Sequence, residues 1–134
     1  MDLVKWQEEY SVHVDAIDEQ HKRFLAIINK LAQVQATDRD AVGIAMDDLL
    51  DYAAYHFAAE ERILATRPQV DLAEHRKRHN VFINRMVLLK RDFNTGKDID
   101  PTEVFDWAGA WLLHHILRRD KRYLTASPPP PAAT

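Results

Sequence analysis

The chain has 134 residues, no cysteine and a net charge of −3. This length predicts a single domain with its own core, while the lack of cysteine excludes disulfides, iron–sulfur clusters and thiol chemistry. The basic run at residues 118–122 is short and interrupted by Asp120, so we expect no nucleic-acid partner. The chain shows neither an apolar signal segment nor an apolar stretch near the ~20 residues that span a bilayer. We therefore expect it in the cytoplasm, without membrane insertion.

Residues 1–14 are expected to form a non-helical arm. Trp6, Tyr10 and Val12 in this arm are predicted to pack against the helices that follow. The first helix is predicted to begin near Asp15, with Asp18 as a second acidic residue in its first turn.

Four helices are predicted after the arm, because four segments carry apolar residues at spacings of three and four. Glycine is scarce, with three residues in the chain, which also favours helices over a turn-rich β architecture. The second helix is predicted to begin at Thr37 or Asp38. It is predicted to end at the Arg67–Pro68 pair, since a proline disfavours helix in the residue before it.

The third helix is predicted to begin with a capping box at Asp71–Glu74 and to end at Asn94–Gly96. The fourth begins at Asp100, with Pro101 at its first helical position. Short connections between long helices imply antiparallel neighbours, so the predicted fold is all-α, an up-down-up-down antiparallel four-helix bundle. The bundle and its arm are expected to occupy residues 1–126, and the proline-rich residues 127–134 to form a disordered tail.

Metal-competent side chains lie on the inner face of every predicted helix: His21 in the first, His56 and Glu60 in the second, His75 and His79 in the third, and His115 and Asp120 near the end of the chain. Residues four apart share one face of a helix, so His-x3-Glu and His-x3-His are two-ligand clamps. Nitrogen and carboxylate ligands without thiolate suit iron, manganese or zinc. Two carboxylates able to bridge would suit a dinuclear centre.

A core network of polar groups without metal is the competing interpretation. It is less favoured, because burying so many polar groups would leave unmet hydrogen bonds at ~1–3 kcal/mol each. Asp120 is the weakest member, since it follows His115 by five residues, about 140° around an ideal helix. Spacing alone leaves its place open. His114 is expected on the flank or surface, and His13 in a loop.

These motifs together resemble the hemerythrin family, and most closely its single-domain bacterial branch. The resemblance covers roughly residues 6–123, through the motifs at 17–22, 56–61, 75–79 and 111–120. Two positions differ from the family: His13 stands where a glycine is common, and His114 where an amide-like residue is common.

The resemblance implies a non-haem di-iron site, with an oxo or hydroxo bridge, that binds O2 reversibly. One iron would be held by His75, His79 and His115, the other by His21 and His56, and Glu60 and Asp120 would bridge the two. The second iron would then lack one ligand, and O2 would bind there. The expected wall of the O2 pocket, from position relative to the ligands, is Phe24, Phe57, Trp111, Leu112 and Ile116. The same residues would be core in any bundle, and both interpretations can hold at once.

Three classes of function compete. We favour an O2 carrier, store or scavenger, monomeric, with an O2-consuming client protein as a candidate partner. The alternatives are a di-iron peroxidase or nitric-oxide-handling enzyme, and an O2 or redox sensor module that acts through a partner. The inner face offers ligands and apolar residues with no free acid or nucleophile, which favours binding over catalysis.

Overall fold

The computed structural model describes residues 3–68 and 70–124. Its long helices are α1 (Asp15–Gln33), α2 (Arg39–Leu64), α3 (Leu72–Asn94) and α4 (Pro101–His115). A π-helical turn, Ile116–Asp120, and a short helix α5, Lys121–Leu124, continue α4. The described residues contain no strand, and the predicted four-helix bundle is confirmed. The predicted domain limit at residue 126 and the predicted tail lie outside the described residues.

Three of the four long helices begin at an aspartate, as predicted. The side chains of Asp38, Asp71 and Asp100 each accept a hydrogen bond from a backbone N–H two or three residues later, at 2.9 to 3.1 Å. Pro101 occupies the start of α4. Each cap satisfies one N–H group that the helix end would leave unpaired.

One helix start lacks a side-chain cap, and one helix ends earlier than predicted. Helix α1 begins at Asp15, as predicted, but the residue before it is Val14, whose apolar side chain makes no cap. Asp18, in the first turn of α1, bonds to the arm. Its two carboxylate oxygens accept hydrogen bonds from the Ser11 hydroxyl at 2.6 Å and the Val12 N–H at 2.8 Å. Helix α2 ends at Leu64, earlier than predicted. A proline limits how far a helix can extend but does not require the helix to reach it.

The N-terminal arm packs against the bundle, as predicted. Val12 and Tyr10 are buried and Trp6 is half-buried. The backbone N–H and C=O of Val4 both pair with the Asn29 side chain, at 2.9 Å each. The arm is not wholly non-helical, because residues Glu8–Tyr10 form one 3-10 turn.

The antiparallel order of the helices places the metal-competent residues at one end of the bundle. They lie early in α1 and α3 and late in α2 and α4, and these four segments meet at the same end. The other end is filled by fully buried apolar side chains, among them Leu31, Met46, Leu49 and Met86. Within the described residues, no helix is long and apolar enough to cross a membrane.

Candidate metal centre

All seven residues predicted as metal ligands come together in one buried cluster. Each is 3% exposed or less: His21, His56, Glu60, His75, His79, His115 and Asp120. Their donor atoms form two groups, one of Glu60, His75, His79, His115 and Asp120 and one of His21, His56, Glu60 and Asp120. Within each group the donor atoms all lie within 4.8 Å of one another. The two carboxylates belong to both groups, and the histidines divide between them.

Glu60 presents one oxygen to each group. Its Oε1 lies 2.8 Å from the Nε2 of His75 and 3.2 Å from that of His79. Its Oε2 lies 3.0 Å from the Nε2 of His56 and 3.4 Å from that of His21. The i, i+4 spacing of His56 and Glu60 on α2 sets the shorter of these last two contacts. A carboxylate in this position has the geometry of a bridge between two ions.

Asp120 likewise presents its two oxygens to different histidines of the cluster. Its Oδ1 lies 3.0 Å from the Nε2 of His75 and 3.1 Å from that of His115. Its Oδ2 lies 3.3 Å from the Nε2 of His21. The π-helical turn explains how a residue five positions after His115 reaches the same face. There the Lys121 N–H bonds to the Ile116 carbonyl, five residues back, whereas an α-helical hydrogen bond reaches four residues back. The wider turn changes the direction in which the Asp120 side chain points.

The protein part of the cluster leaves polar atoms without hydrogen-bond partners. These include Nε2 of His21 and His56, Oε2 of Glu60 and Oδ2 of Asp120, all buried. The Nε2 atoms of His79 and His115 lie only 3.0 Å apart. Leaving buried polar groups unpaired costs about 1–3 kcal/mol each, and metal ions among them would satisfy these atoms together. The donor set of imidazole nitrogens and carboxylate oxygens therefore fits a pair of iron, manganese or zinc ions.

The electrostatics of the cluster also favour cations. Burial by itself lowers the pKa of His21 and His115, but the negative charges of the adjacent Asp120 and Glu60 carboxylates outweigh it and raise these values to about 9 and about 10. Burial raises the pKa of Glu60, yet its hydrogen bonds within the cluster hold that pKa well below its usual value. Both carboxylates are therefore ionised, and without metal the cluster holds protons where metal ions would bind.

Two residues that sequence reasoning assigned no role support the histidines from outside. The Nδ1 of His56 lies 2.8 Å from the amide oxygen of Gln20, and the Nδ1 of His79 lies 2.9 Å from Oε2 of Glu61. Each partner fixes the ring so that Nε2 faces the cluster. Gln20 precedes the predicted ligand His21 in the sequence, and Glu61 follows the predicted ligand Glu60. This adjacency is the feature of the sequence from which their supporting role could have been predicted.

Of the five residues predicted to wall an O2 pocket, the three aromatic ones contact histidine rings of the cluster. Phe57 stacks on the His79 ring, with centroids 4.0 Å apart, and Trp111 stacks on His115 at 4.7 Å. Phe24 meets the His56 ring edge-on at 5.6 Å. Leu112 and Ile116 are fully buried. Phe82, absent from the predicted wall, is fully buried and touches Phe24, Phe57 and Trp111.

The two histidines predicted to lie outside the cluster do so. His114 is exposed on α4. His13 is exposed and has a φ of 57°, in the left-handed region that glycine adopts at least cost. A glycine, common here in the family that the sequence resembles, would therefore suit this backbone better than histidine does.

Fold and cluster together define a four-helix-bundle protein with a buried site of nitrogen and carboxylate donors arranged for two metal ions. Residues 12–126 match the family model described as the hemerythrin HHE cation binding domain. The chain belongs to the hemerythrin family.

Curated relatives and solved structures agree with this assignment. The chain is 35% identical to a bacteriohemerythrin of Stenotrophomonas maltophilia, over 92% of this chain and 80% of the relative. It is 30% identical to a bacteriohemerythrin of Methylococcus capsulatus, over 92% and 95%. A crystal structure of wild-type hemerythrin superposes with a TM-score of 0.84 at 29% identity, over 93% of this chain and all of that chain.

Proposed function

We propose that this protein binds O2 reversibly at a non-haem di-iron centre and serves as an O2 carrier, store or scavenger. The single observation that carries the proposal is the pair of donor groups that share Glu60 and Asp120. Such a pair, in a member of the hemerythrin family, supports two irons joined by two carboxylate bridges. An oxo or hydroxo bridge completes the proposed centre.

The proposed ligands divide unequally between the two irons. His75, His79 and His115 would hold one, and His21 and His56 the other. With the carboxylates shared, the second iron has one histidine fewer and keeps a position open for O2. When bound, the iron pair supplies the electrons for reversible reduction of O2.

The role of the apolar wall is to keep water away from the open position. Phe24, Leu112 and Ile116 are fully buried and Phe57 is 3% exposed, and Phe24 and Phe57 lie against histidine rings of the cluster. An apolar pocket slows the entry of water and protons and therefore slows autoxidation of the site to a ferric form that does not bind O2. A carrier needs this protection because it must release O2 unchanged.

The buried acids support binding over catalysis. Among the described residues the buried carboxylates are Glu60 and Asp120, and both contact histidines of the cluster. If both serve as bridges, the pocket keeps no separate acid or base for turnover. A cytoplasmic location, a monomeric state and an O2-consuming client remain predictions.

Metal analysis and visible spectroscopy test the proposal. The purified protein should contain about two irons per chain, and its spectrum should change on reduction and then reversibly on exposure to air. One metal per chain, or zinc after growth in iron-replete medium, contradicts the di-iron assignment. If the reduced protein turns over peroxide or nitric oxide with an added reductant and never binds O2 reversibly, the enzyme alternative is correct.

A further inference from the structure

The two sides of the cluster differ in the group that holds the outer nitrogen of a histidine. At His79 the partner is Glu61, and at His56 it is Gln20. A carboxylate and an amide oxygen both accept the Nδ1–H, so both orient a ring. They differ in charge.

The Glu61 carboxylate is held on both sides. Its Oε2 accepts from Nδ1 of His79 at 2.9 Å, and its Oε1 accepts from Nε of Arg76 at 2.9 Å. Glu61 is 20% exposed and Arg76 is 57% exposed. The chain Arg76–Glu61–His79 therefore runs from solvent to the cluster, and joins α2 to α3.

The charge of Glu61 acts on the cluster through the imidazole of His79. A hydrogen bond to an anionic acceptor is stronger than one to a neutral acceptor, and it draws the Nδ1 proton away from the ring. The Nε2 atom of that ring then becomes a more basic donor. A more basic donor stabilises the higher charge of a ferric ion relative to a ferrous one.

We infer that Glu61 is a positioning residue that makes the two irons of the centre unequal, by favouring the ferric state of the iron that His79 would hold. Gln20 gives no such charge to the iron that His56 would hold. The inference rests on the proposed function, because it requires the iron pair. It adds that the iron on the side of Gln20 would be the more easily reduced of the two, and this is also the iron with the open position.

Arg76 provides a second test of the inference, because its substitution should shift the reduction potential in the direction opposite to substitution of Glu61. The guanidinium of Arg76 competes with the Nδ1–H of His79 for the charge of Glu61. Removal of the arginine leaves the carboxylate more strongly bound to His79, while removal of the carboxylate charge weakens that bond. A purely structural role predicts no such opposition.

The experiment is a mediated redox titration of the iron-loaded protein under argon, in which the ferric visible absorption is monitored. E61Q keeps the hydrogen bond and removes the charge, and its reduction potential should rise above that of the wild type. R76Q should lower the potential. E74Q and R78Q are matched controls, since Glu74 and Arg78 form an exposed pair on α3 with a 3.0 Å contact. They should leave the potential at the wild-type value.

The outcomes separate this inference from the proposed function. A wild-type potential in E61Q, or shifts of the same sign in E61Q and R76Q, overturns the inference. If E61Q does not retain iron, R76Q decides, and a potential equal to or above the wild-type value overturns the inference. The titration uses no O2, so it measures the role of Glu61 whether or not the protein binds O2. An iron-loaded protein that fails to bind O2 reversibly contradicts the proposed function alone.

Discussion

Asp120 lies five residues after His115, yet its Oδ1 is 3.1 Å from the Nε2 of that histidine. The π-helical turn Ile116–Asp120 closes this offset. Such turns are rare and occur frequently at functional sites. Here the turn brings a second carboxylate into the cluster, where it shares the contact of Glu60 with His75.

Asp120→Asn tests whether this carboxylate bridges the metals. The variant keeps the shape of the side chain but removes its charge, so we expect a clear loss of iron from the usual content of about two per chain. Elemental analysis and the visible spectrum measure this. His114→Ala is the matched control, since His114 is exposed beside His115, and it should be nearly silent. Full iron content in Asp120→Asn would contradict the bridging role of Asp120. Loss of iron in His114→Ala would show that the ligand residues near the end of the chain are wrongly assigned.

Glu60→Ala should remove the other bridge. Glu60 contacts histidines of both donor groups, so its loss should lower iron content at both positions. Glu61→Ala, at the neighbouring residue, should retain more iron, although loss of such an outer partner typically costs about 10- to 100-fold in metal affinity. Equal iron content in Glu60→Ala and the wild type would contradict the role of Glu60.

Leu112→Ala should separate protection of the site from stability of the fold. Leu112 is fully buried, so truncation should cost about 2–5 kcal/mol of unfolding free energy and open space for water near the cluster. We expect unchanged iron content and faster conversion of the reduced, air-exposed protein to its ferric spectrum. Leu31→Ala is the control, because Leu31 is equally buried at the other end of the bundle. It should lose similar stability without faster oxidation, and equal oxidation rates in the two variants would argue against a protective wall.

His13→Gly should stabilise the protein. His13 has a φ of 57°, which costs an L residue roughly 1–2 kcal/mol. Glycine avoids this cost, but its greater freedom in the unfolded chain destabilises the folded state by roughly 0.5–1 kcal/mol. A net increase of about 0.5–1 kcal/mol in unfolding free energy is expected, measured by urea denaturation. His13→Ala removes the imidazole but keeps the strained backbone, and should show no gain. Equal stabilisation by both substitutions would place the cost in the imidazole instead.

Metal removal should make stability depend on alkaline pH. The pKa values of His21 and His115 are raised to about 9 and about 10 without metal. A raised pKa contributes stability that is fully present below the unfolded value near 6.5 and is lost as pH rises through the folded value. Chelator-treated protein should therefore unfold at lower urea concentration at about pH 10 than at about pH 7.

Iron-loaded protein is the comparison for that measurement. Metal ions replace the protons of their ligands, so the alkaline loss of stability should be much smaller when iron is bound. Equal urea midpoints at the two pH values in the metal-free protein would mean that the histidines do not hold these protons.

Much of the fold and of the cluster follows from local rules that the sequence by itself carries. The His56–Glu60 and His75–His79 pairs share a helix face because of the helical repeat. The caps at Asp38, Asp71 and Asp100 depend only on residues within one turn. Antiparallel order then brings the ligand-bearing halves of the four helices to one end.

Other features were decided by tertiary structure, because they depend on contacts between segments far apart in the chain. The π-helical turn at Asp120 departs from the helical repeat, so spacing left the place of this candidate open and the resemblance to a family supplied its bridging role. The partners of the outer histidine nitrogens, Gln20 and Glu61, lie on neighbouring helices, 36 and 18 residues from the rings they hold. A periodic pattern specifies which face of a helix is buried, but the distance and register between two packed helices specify which polar atoms meet.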